Sequence, residues 1–135
     1  MKNIIGINVS PDSIIFFNNG EKLINKVKVS NPLTTEDISN MSKYIEENKE
    51  CLYAIKHGTE KGKFKSSPNT FRIEGVLLSI LKGKLTIFSP ITITKIEKDN
   101  ILDIDNEVKN NNIKKVNYKS FLASYSLILK LKSEN

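Results

Sequence analysis

Cysteine and arginine are nearly absent from this sequence. Its 135 residues include one cysteine, Cys51. Of its 21 lysine and arginine residues, only Arg72 is an arginine. A single cysteine excludes an intrachain disulfide, no Cys or His pair has the spacing of a zinc site, and a reducing, intracellular setting is expected. With a single arginine, bidentate recognition of guanine or phosphate is nearly excluded, because lysine lacks the planar fork of the guanidinium group. Any nucleic acid would therefore be recognised by shape and charge.

Long apolar runs are also lacking. The longest apolar-rich run, from Phe121 to Leu131, has 11 residues and includes Ser and Lys, whereas a membrane-spanning helix needs about 20 apolar residues. The N-terminal segment is interrupted by Asn3 and Asn8 and no small-residue cleavage site follows it, which predicts strands rather than a signal peptide. We expect a cytoplasmic protein with no membrane partner, folded as a single domain over residues 1–135.

Positive charge is abundant and unevenly placed. The net charge is +6, and the segment 56–84 alone carries seven cations against two acids, a balance of 7 − 2 = +5. Clustering of this kind is typical of a face that binds a polyanion. The alternative is that these side chains only form a solvated surface. The cations are Lys56, Lys61, Lys63, Lys65, Arg72, Lys82 and Lys84, and the acids are Glu60 and Glu74.

The first thirty residues predict three strands. Segments 3–9, 13–17 and 22–29 are rich in Ile, Val and Phe or alternate apolar residues at period two. Turn sequences separate them, Ser10-Pro11-Asp12 and Asn18-Asn19-Gly20. This pattern predicts an antiparallel meander in which Asp12 is a turn residue.

Helix and strand patterns then alternate. Thr34 or Thr35 is expected to cap a helix that ends near Asn48, and the apolar run 51–55 predicts a buried strand. Ser67 and Pro68 are expected to begin a second helix. The apolar stripe of this helix consists of Ile73, Val76, Leu77, Ile80 and Leu81. Glu74 lies at the border of the stripe and is expected to be half-buried at the edge of a cleft.

The C-terminal third predicts a strand, a mobile loop and a closing helix. Residues 85–88 read as a strand, and Ser89-Pro90 begins a short helix or turn through Ile96. Segment 99–112, acidic and then rich in Asn, is expected to be the mobile loop. A final helix over 116–131 is expected to dock through Tyr118, Phe121, Leu122, Tyr125 and Leu129.

Four short motifs, spread over about 90 residues, accompany this order of elements. They are Ile5-Gly6-Ile7, Lys61-Gly62-Lys63-Phe64, Phe71-x-x-Glu74 and Ser89-Pro90-x-Thr92. With them the sequence resembles a small bacterial family of ribonuclease H-like proteins, a domain of unknown function related to Holliday-junction resolvases. Three meander strands extended by two parallel strands through helical crossovers fit that layout. We therefore expect an α/β, ribonuclease H-like fold with a mixed five-stranded sheet and flanking helices.

The resemblance implies specific positions for catalytic acids. Ribonuclease H-like nucleases generally hold two divalent cations between carboxylates from the first strand, from the end of the central strand and from later helices. In this sequence Asn8 and His57 stand at the first two positions, and no Asp or Glu lies between Val108 and Ser133. Only Glu74 matches. Magnesium or manganese would be needed only if the protein is an active nuclease.

The candidate catalytic residues are therefore Glu74, His57 and Asn8. His57, the only histidine, is either a general acid or metal ligand or simply a polar residue at a strand end. Glu74 has an alternative as well, a surface pair with a neighbouring Lys or Arg. Glu60 is available in the loop, with nothing in the sequence to fix its position.

The candidate nucleic-acid contacts follow the central strand, at the edge where α/β sheets bind ligands. They are Lys56, Lys61, Lys63, Phe64, Lys65 and Arg72. Phe64 either stacks on a base or covers the core. Three hypotheses stay open: a lapsed nuclease that binds or regulates structured DNA or RNA, an active nuclease that uses Glu74 with Asp12 or Glu60, and a module that binds an acidic protein.

Overall fold

A five-stranded mixed sheet forms the centre of the protein. The computed structural model describes residues 3–18, 23–60, 62, 65–110, 113–114 and 118–134. The strands are β1 (Ile4–Ser10), β2 (Ser13–Asn18), β3 (Leu23–Lys28), β4 (Leu52–Lys56) and β5 (Leu85–Phe88), in the order β3-β2-β1-β4-β5. The pairs β1–β2 and β2–β3 are antiparallel, whereas β1–β4 and β4–β5 are parallel. The predicted meander with two added parallel strands is confirmed.

In the described part of the chain, five helices surround the sheet: α1 (Thr35–Glu47), α2 (Pro68–Ile80), α3 (Pro90–Asp99), α4 (Ile101–Asn110) and α5 (Tyr118–Glu134). Thr34 caps α1 in a reciprocal capping box with Asp37. Ser67 and Pro68 begin α2 as expected. Within the described residues, no helix is both long enough and apolar enough to cross a bilayer.

The expected mobile loop over 99–112 is wrong for residues 101–110. These residues form α4, whose Ile104 is fully buried and whose Val108 is partly buried one turn later. An acidic residue of α4 also contacts α5, because Asp105 Oδ1 accepts a hydrogen bond from Tyr118 Oη at 2.7 Å. Residues 111 and 112 lie outside the described part of the chain.

The two faces of the sheet bury separate cores. On one face, Ile5, Ile7 and Ile55 pack with Met41 of α1 and with Ile73 and Leu77 of α2. On the other face, Ile4 and Ala54 pack with residues of α3, α4 and α5, among them Ile93, Ile104, Phe121 and Leu127. This division follows from the alternation of side chains along a strand.

Helix α5 approaches β1 very closely at Gly6. A Cβ atom on Gly6 would lie 2.1 Å from the carbonyl oxygen of Ser124, so only glycine fits. The expected docking face of α5 is partly wrong, since Tyr118 and Leu129 are only half-buried. The small Ser124 faces β1 instead, within a buried stripe of Phe121, Ser124, Leu127, Ile128 and Leu131.

Asn69 fixes the start of α2. Its side chain is buried, and Nδ2 donates to the carbonyl oxygens of Pro11 at 2.7 Å and Ser30 at 2.9 Å. Its Oδ1 accepts from the Leu33 amide at 2.8 Å. One amide group therefore ties α2 to the β1–β2 turn and to the segment that leads into α1.

Candidate nucleic-acid interface

Strands β1 and β4 are parallel, so their carboxyl ends meet at one edge of the sheet. A pocket of about 200 Å³ lies at this edge. It brings together Asn8 and His57, two of the three candidate catalytic residues, with Lys56. No acidic side chain is among its described lining residues, which are Ile7, Asn8, Val9, Lys56, His57, Gly58, Thr59, Ser66 and Thr70. We call it the edge pocket.

Glu74 reaches the edge pocket through His57. Nδ1 of His57 donates a hydrogen bond to Oε1 of Glu74 at 2.7 Å, and Nε2 lies 3.2 Å from Oε1 of Glu60. The Glu74 side chain is 7% exposed, whereas that of Glu60 is 67% exposed. The hydrogen bond to Glu74, followed by the one to Glu60, raises the pKa of His57 above its ordinary value. The arrangement favours an imidazolium, which donates from both nitrogens.

Two sequence expectations about Glu74 need correction. It is buried rather than half-buried, because its neighbours Ile73 and Leu77 are fully packed in the core. Its hydrogen-bonding partner is a histidine beyond the end of β4 rather than a nearby Lys or Arg. The buried Glu74 carboxylate therefore orients the imidazole ring of His57.

The motif Phe71-x-x-Glu74 acquires a structural meaning here. The ring of Phe71 meets that of His57 edge-on, with centroids 6.0 Å apart, and it lies so close to Gly58 that a Cβ there would be 2.6 Å from Phe71. Both defined residues of the motif thus contact His57 or its neighbour. The His57 amide also donates to the carbonyl oxygen of Phe88 at 2.8 Å, which ties the end of β4 to β5.

Asn8 and Lys56 belong to the other face of the sheet. They follow Gly6 and Ala54 by two residues, and so they share the face that packs against α5. Glu97 of α3, which the sequence reading missed, lies near Lys56 and is half-buried. Burial raises the pKa of the Glu97 carboxyl, although the Lys56 ammonium acts in the opposite direction. Helix α3 was expected to end at Ile96, which left Glu97 outside it.

The two residues that flank segment 60–65 in the sequence are hydrogen-bonded to each other at the edge pocket. The Ser66 amide donates to the Thr59 carbonyl oxygen at 2.7 Å, and the Thr59 amide donates to Ser66 Oγ at 2.9 Å. Both Thr59 and Ser66 line the edge pocket.

The candidate contacts are only partly described. Lys61, Lys63 and Phe64 lie outside the described residues. Lys56, Lys65 and Arg72 are all exposed, as a role in binding phosphate requires.

The donor atoms at this edge do not fit a pair of divalent cations. Asn8 offers a neutral amide, and both ring nitrogens of His57 are engaged by carboxylates. Asp12 lies in the β1–β2 turn and is not among the described lining residues of the pocket. In the part of the chain that the structure describes, no three His, Cys, Asp or Glu side chains are grouped to hold a metal ion.

Comparisons with known proteins agree with the fold. A family model described as a protein of unknown function, DUF3010, matches residues 5–127. No curated protein matches the sequence. Among solved structures, T. thermophilus RuvC in complex with Holliday junction substrate is similar at a TM-score of 0.67 and 9% identity, over 100% of this chain and 98% of that one. At this identity the likeness shows the fold alone, which is ribonuclease H-like, and the expected family resemblance is confirmed.

Proposed function

The chain belongs to the DUF3010 family of proteins of unknown function, and from this premise we propose that it binds structured DNA or RNA at the edge pocket without cleaving it. One observation carries the proposal. The edge at which the family resemblance implies metal-binding carboxylates is lined by Asn8, Lys56 and His57, which are neutral or basic. Lys56 repels divalent cations and attracts phosphate, and Asn8 offers only a neutral amide in place of a carboxylate. Asn8 and His57, at the positions where carboxylates are expected, therefore take away the metal ligands that cleavage needs. Lys56 beside them supplies a contact for the phosphate backbone of the nucleic acid.

The surrounding charge supports binding. Lys65 and Arg72 are exposed, and Thr59 and Ser66, which flank the lysine-bearing segment in the sequence, line the pocket. The hydrogen bond to Glu74 holds the His57 imidazole at a fixed position in the lining of the pocket. Backbone contacts of this kind release counterions, so the affinity should fall steeply with salt.

The hydrogen bonding of Glu74 supports the loss of cleavage. An active nuclease would need Glu74 to combine with Glu60 or Asp12, but Glu60 and Glu74 occupy the two nitrogens of one imidazole ring. Glu74 then acts as a positioning residue for His57. A cytoplasmic protein that binds branched nucleic acid without cutting it would regulate access to that substrate. The Holliday junction held by the RuvC structure makes a four-way junction the first ligand to test.

A pair of charge-neutralising variants tests the proposal. Lys65→Gln with Arg72→Gln removes two exposed cations near the pocket, while Lys43→Gln with Lys49→Gln removes two exposed cations from α1 and the turn after it. Lys56 is left intact because Glu97 lies beside it. We expect only the first variant to weaken junction binding, with a salt slope lower by about 1–2. Equal affinities for wild type and both variants would contradict the proposal and favour an acidic protein partner.

A further inference from the structure

A shallow groove extends the edge pocket along α3. A depression of about 400 Å³ shares His57, Gly58 and Thr59 with the edge pocket and continues to Ser89, Pro90 and Ile91. A second depression, of about 380 Å³, begins at the same Pro90 and Ile91 and continues to Thr94, Lys95 and Lys98. Since neighbouring depressions share lining residues, the surface is continuous from the end of β1 to the last turn of α3. We call its distal half, lined by residues of α3, the α3 groove.

The α3 groove displays a single face of the helix. Ile91, Lys95 and Lys98 recur at i, i+4 and i+7, which places them on one side, and Ile93 is buried on the other. Both lysines are exposed. Ile91 is 83% exposed, more than any other large apolar side chain in the described ranges. An isoleucine with so little packing contributes little to the core and is available to a ligand.

The charge of the groove selects the class of ligand. Lys95 and Lys98 line the α3 groove, and none of its described lining residues is acidic. Glu60 lines the adjoining depression, where its carboxylate lies 3.2 Å from Nε2 of His57. The acids of α3 itself, Glu97 and Asp99, do not line the groove. A strand of phosphodiesters, which alternates anionic and apolar parts, complements lysines set around an exposed isoleucine.

The length of the groove fits a short stretch of backbone. Residues 91 to 98 span seven helical rises, about 10.5 Å at 1.5 Å per residue. One strand of B-form DNA places a phosphate about every 3.4 Å along its axis. The groove therefore matches about three nucleotides.

We infer that the α3 groove carries the nucleic acid onward from the edge pocket, with Lys95 and Lys98 on successive phosphates and Ile91 against a sugar or base. This inference rests on the proposed function and extends it to a surface outside the basic segment 56–84. Apolar side chains beside a backbone-binding surface often wedge against bases of distorted nucleic acid. A branched or single-stranded ligand should therefore use Ile91 more than a plain duplex does.

Two variants of the full chain test the groove, Lys95→Gln with Lys98→Gln, and Ile91→Ser. Glutamine has nearly the helix propensity of lysine, so α3 is retained, which circular dichroism would verify. Lys43→Gln with Lys49→Gln is the matched control. Binding of a labelled four-way junction and of a duplex is measured by fluorescence anisotropy over a range of salt.

We expect the Lys95/Lys98 variant to bind about tenfold more weakly near 0.1 M salt, with a salt slope lower by about 1–2. Ile91→Ser should weaken junction binding more than duplex binding. If wild type binds with a steep salt slope and the Lys95/Lys98 variant binds as tightly as the control, the inference that the α3 groove binds nucleic acid is wrong and the proposed function stands. If wild type binds neither ligand, the proposed function fails and the groove fails with it.

Discussion

Nδ1 of His57 lies 2.7 Å from Oε1 of Glu74, although the two residues are 17 positions apart and belong to different elements. The contact joins the loop after β4 to the middle of α2. Glu74 is the one carboxylate at a position where the family resemblance implies an acid, and it is hydrogen-bonded to His57. The contact fixes the imidazole at the rim of the edge pocket. Stability and proton binding are therefore coupled at this pair.

Removal of the imidazole should destabilise the protein. His57→Ala leaves the buried Glu74 carboxylate without this hydrogen bond, which should lower the free energy of unfolding by about 1–3 kcal/mol. Urea denaturation at pH 6 would measure the change. Glu60→Gln is the control, since the Glu60 side chain is 67% exposed and such surface pairs contribute at most about 1 kcal/mol. Equal losses in both variants would contradict a dominant role for Glu74.

The protonation of His57 can be followed directly. It is the only histidine, so one imidazole resonance reports its titration by NMR. Because its hydrogen bonds to Glu74 and Glu60 raise its pKa, the midpoint should lie above the ordinary value of about 6.5. Glu74→Gln should move the midpoint back down. A wild-type midpoint at or below 6.5 would contradict the charged pair.

The same pair predicts how stability depends on pH. The folded protein has the higher His57 pKa, so it binds the proton more tightly than the unfolded chain does. The added stability is fully present below about pH 6.5 and is lost as pH rises through the folded pKa. The difference in unfolding free energy between wild type and His57→Gln should therefore be larger at pH 5.5 than at pH 9. A difference that grows with pH would overturn this sign.

Two glycines should respond in opposite ways to alanine. Gly6→Ala forces a methyl group against the Ser124 carbonyl oxygen and should cost about 1–3 kcal/mol or more, since neither β1 nor α5 can move away easily. At Gly75, in α2, nothing lies within 4 Å of the added Cβ. Gly75→Ala should stabilise the protein by about 0.5–1 kcal/mol. Thermal and urea unfolding of the two variants would show whether the signs differ.

Asn69 should be a second point of sensitivity. Asn69→Ala leaves the Leu33 amide and the Pro11 and Ser30 carbonyl oxygens without their partner, and the loss should be about 2–4 kcal/mol. Asn40→Ala, at an exposed position of α1, should change stability by no more than about 0.5 kcal/mol. If the two variants unfolded at the same urea concentration, the role of Asn69 in fixing α2 would be wrong.

The strands and most helix limits could be predicted because they depend on local patterns, whereas their order in the sheet was expected from the ribonuclease H-like layout. Period-two alternation, Pro at the first helical turn and the apolar stripe of α2 all act over a few residues. The prediction for the α4 segment was wrong because its Asp and Asn content suggested a loop, although Ile104 and Val108 have helical spacing. Polar composition describes its outer side, whereas a few apolar side chains decide its packing.

The site was predictable in position and not in its contacts. The family resemblance identified Asn8, His57 and Glu74, but no periodicity reveals that Glu74 points at His57 or that Glu60 lies on the opposite ring nitrogen. Lys95, Lys98 and Ile91 had no motif of their own. Only the packing of α3 beside the end of β4 makes them continuous with the pocket.

The central claim, binding without cleavage, is tested most directly with a labelled four-way junction, titrated by fluorescence anisotropy at about 50 and 200 mM salt with manganese present. The same samples are then run on a denaturing gel. We expect an affinity that falls steeply with salt and a junction that stays intact. Manganese-dependent cleavage would show that the site is active, and binding that does not weaken with salt would contradict the phosphate contacts.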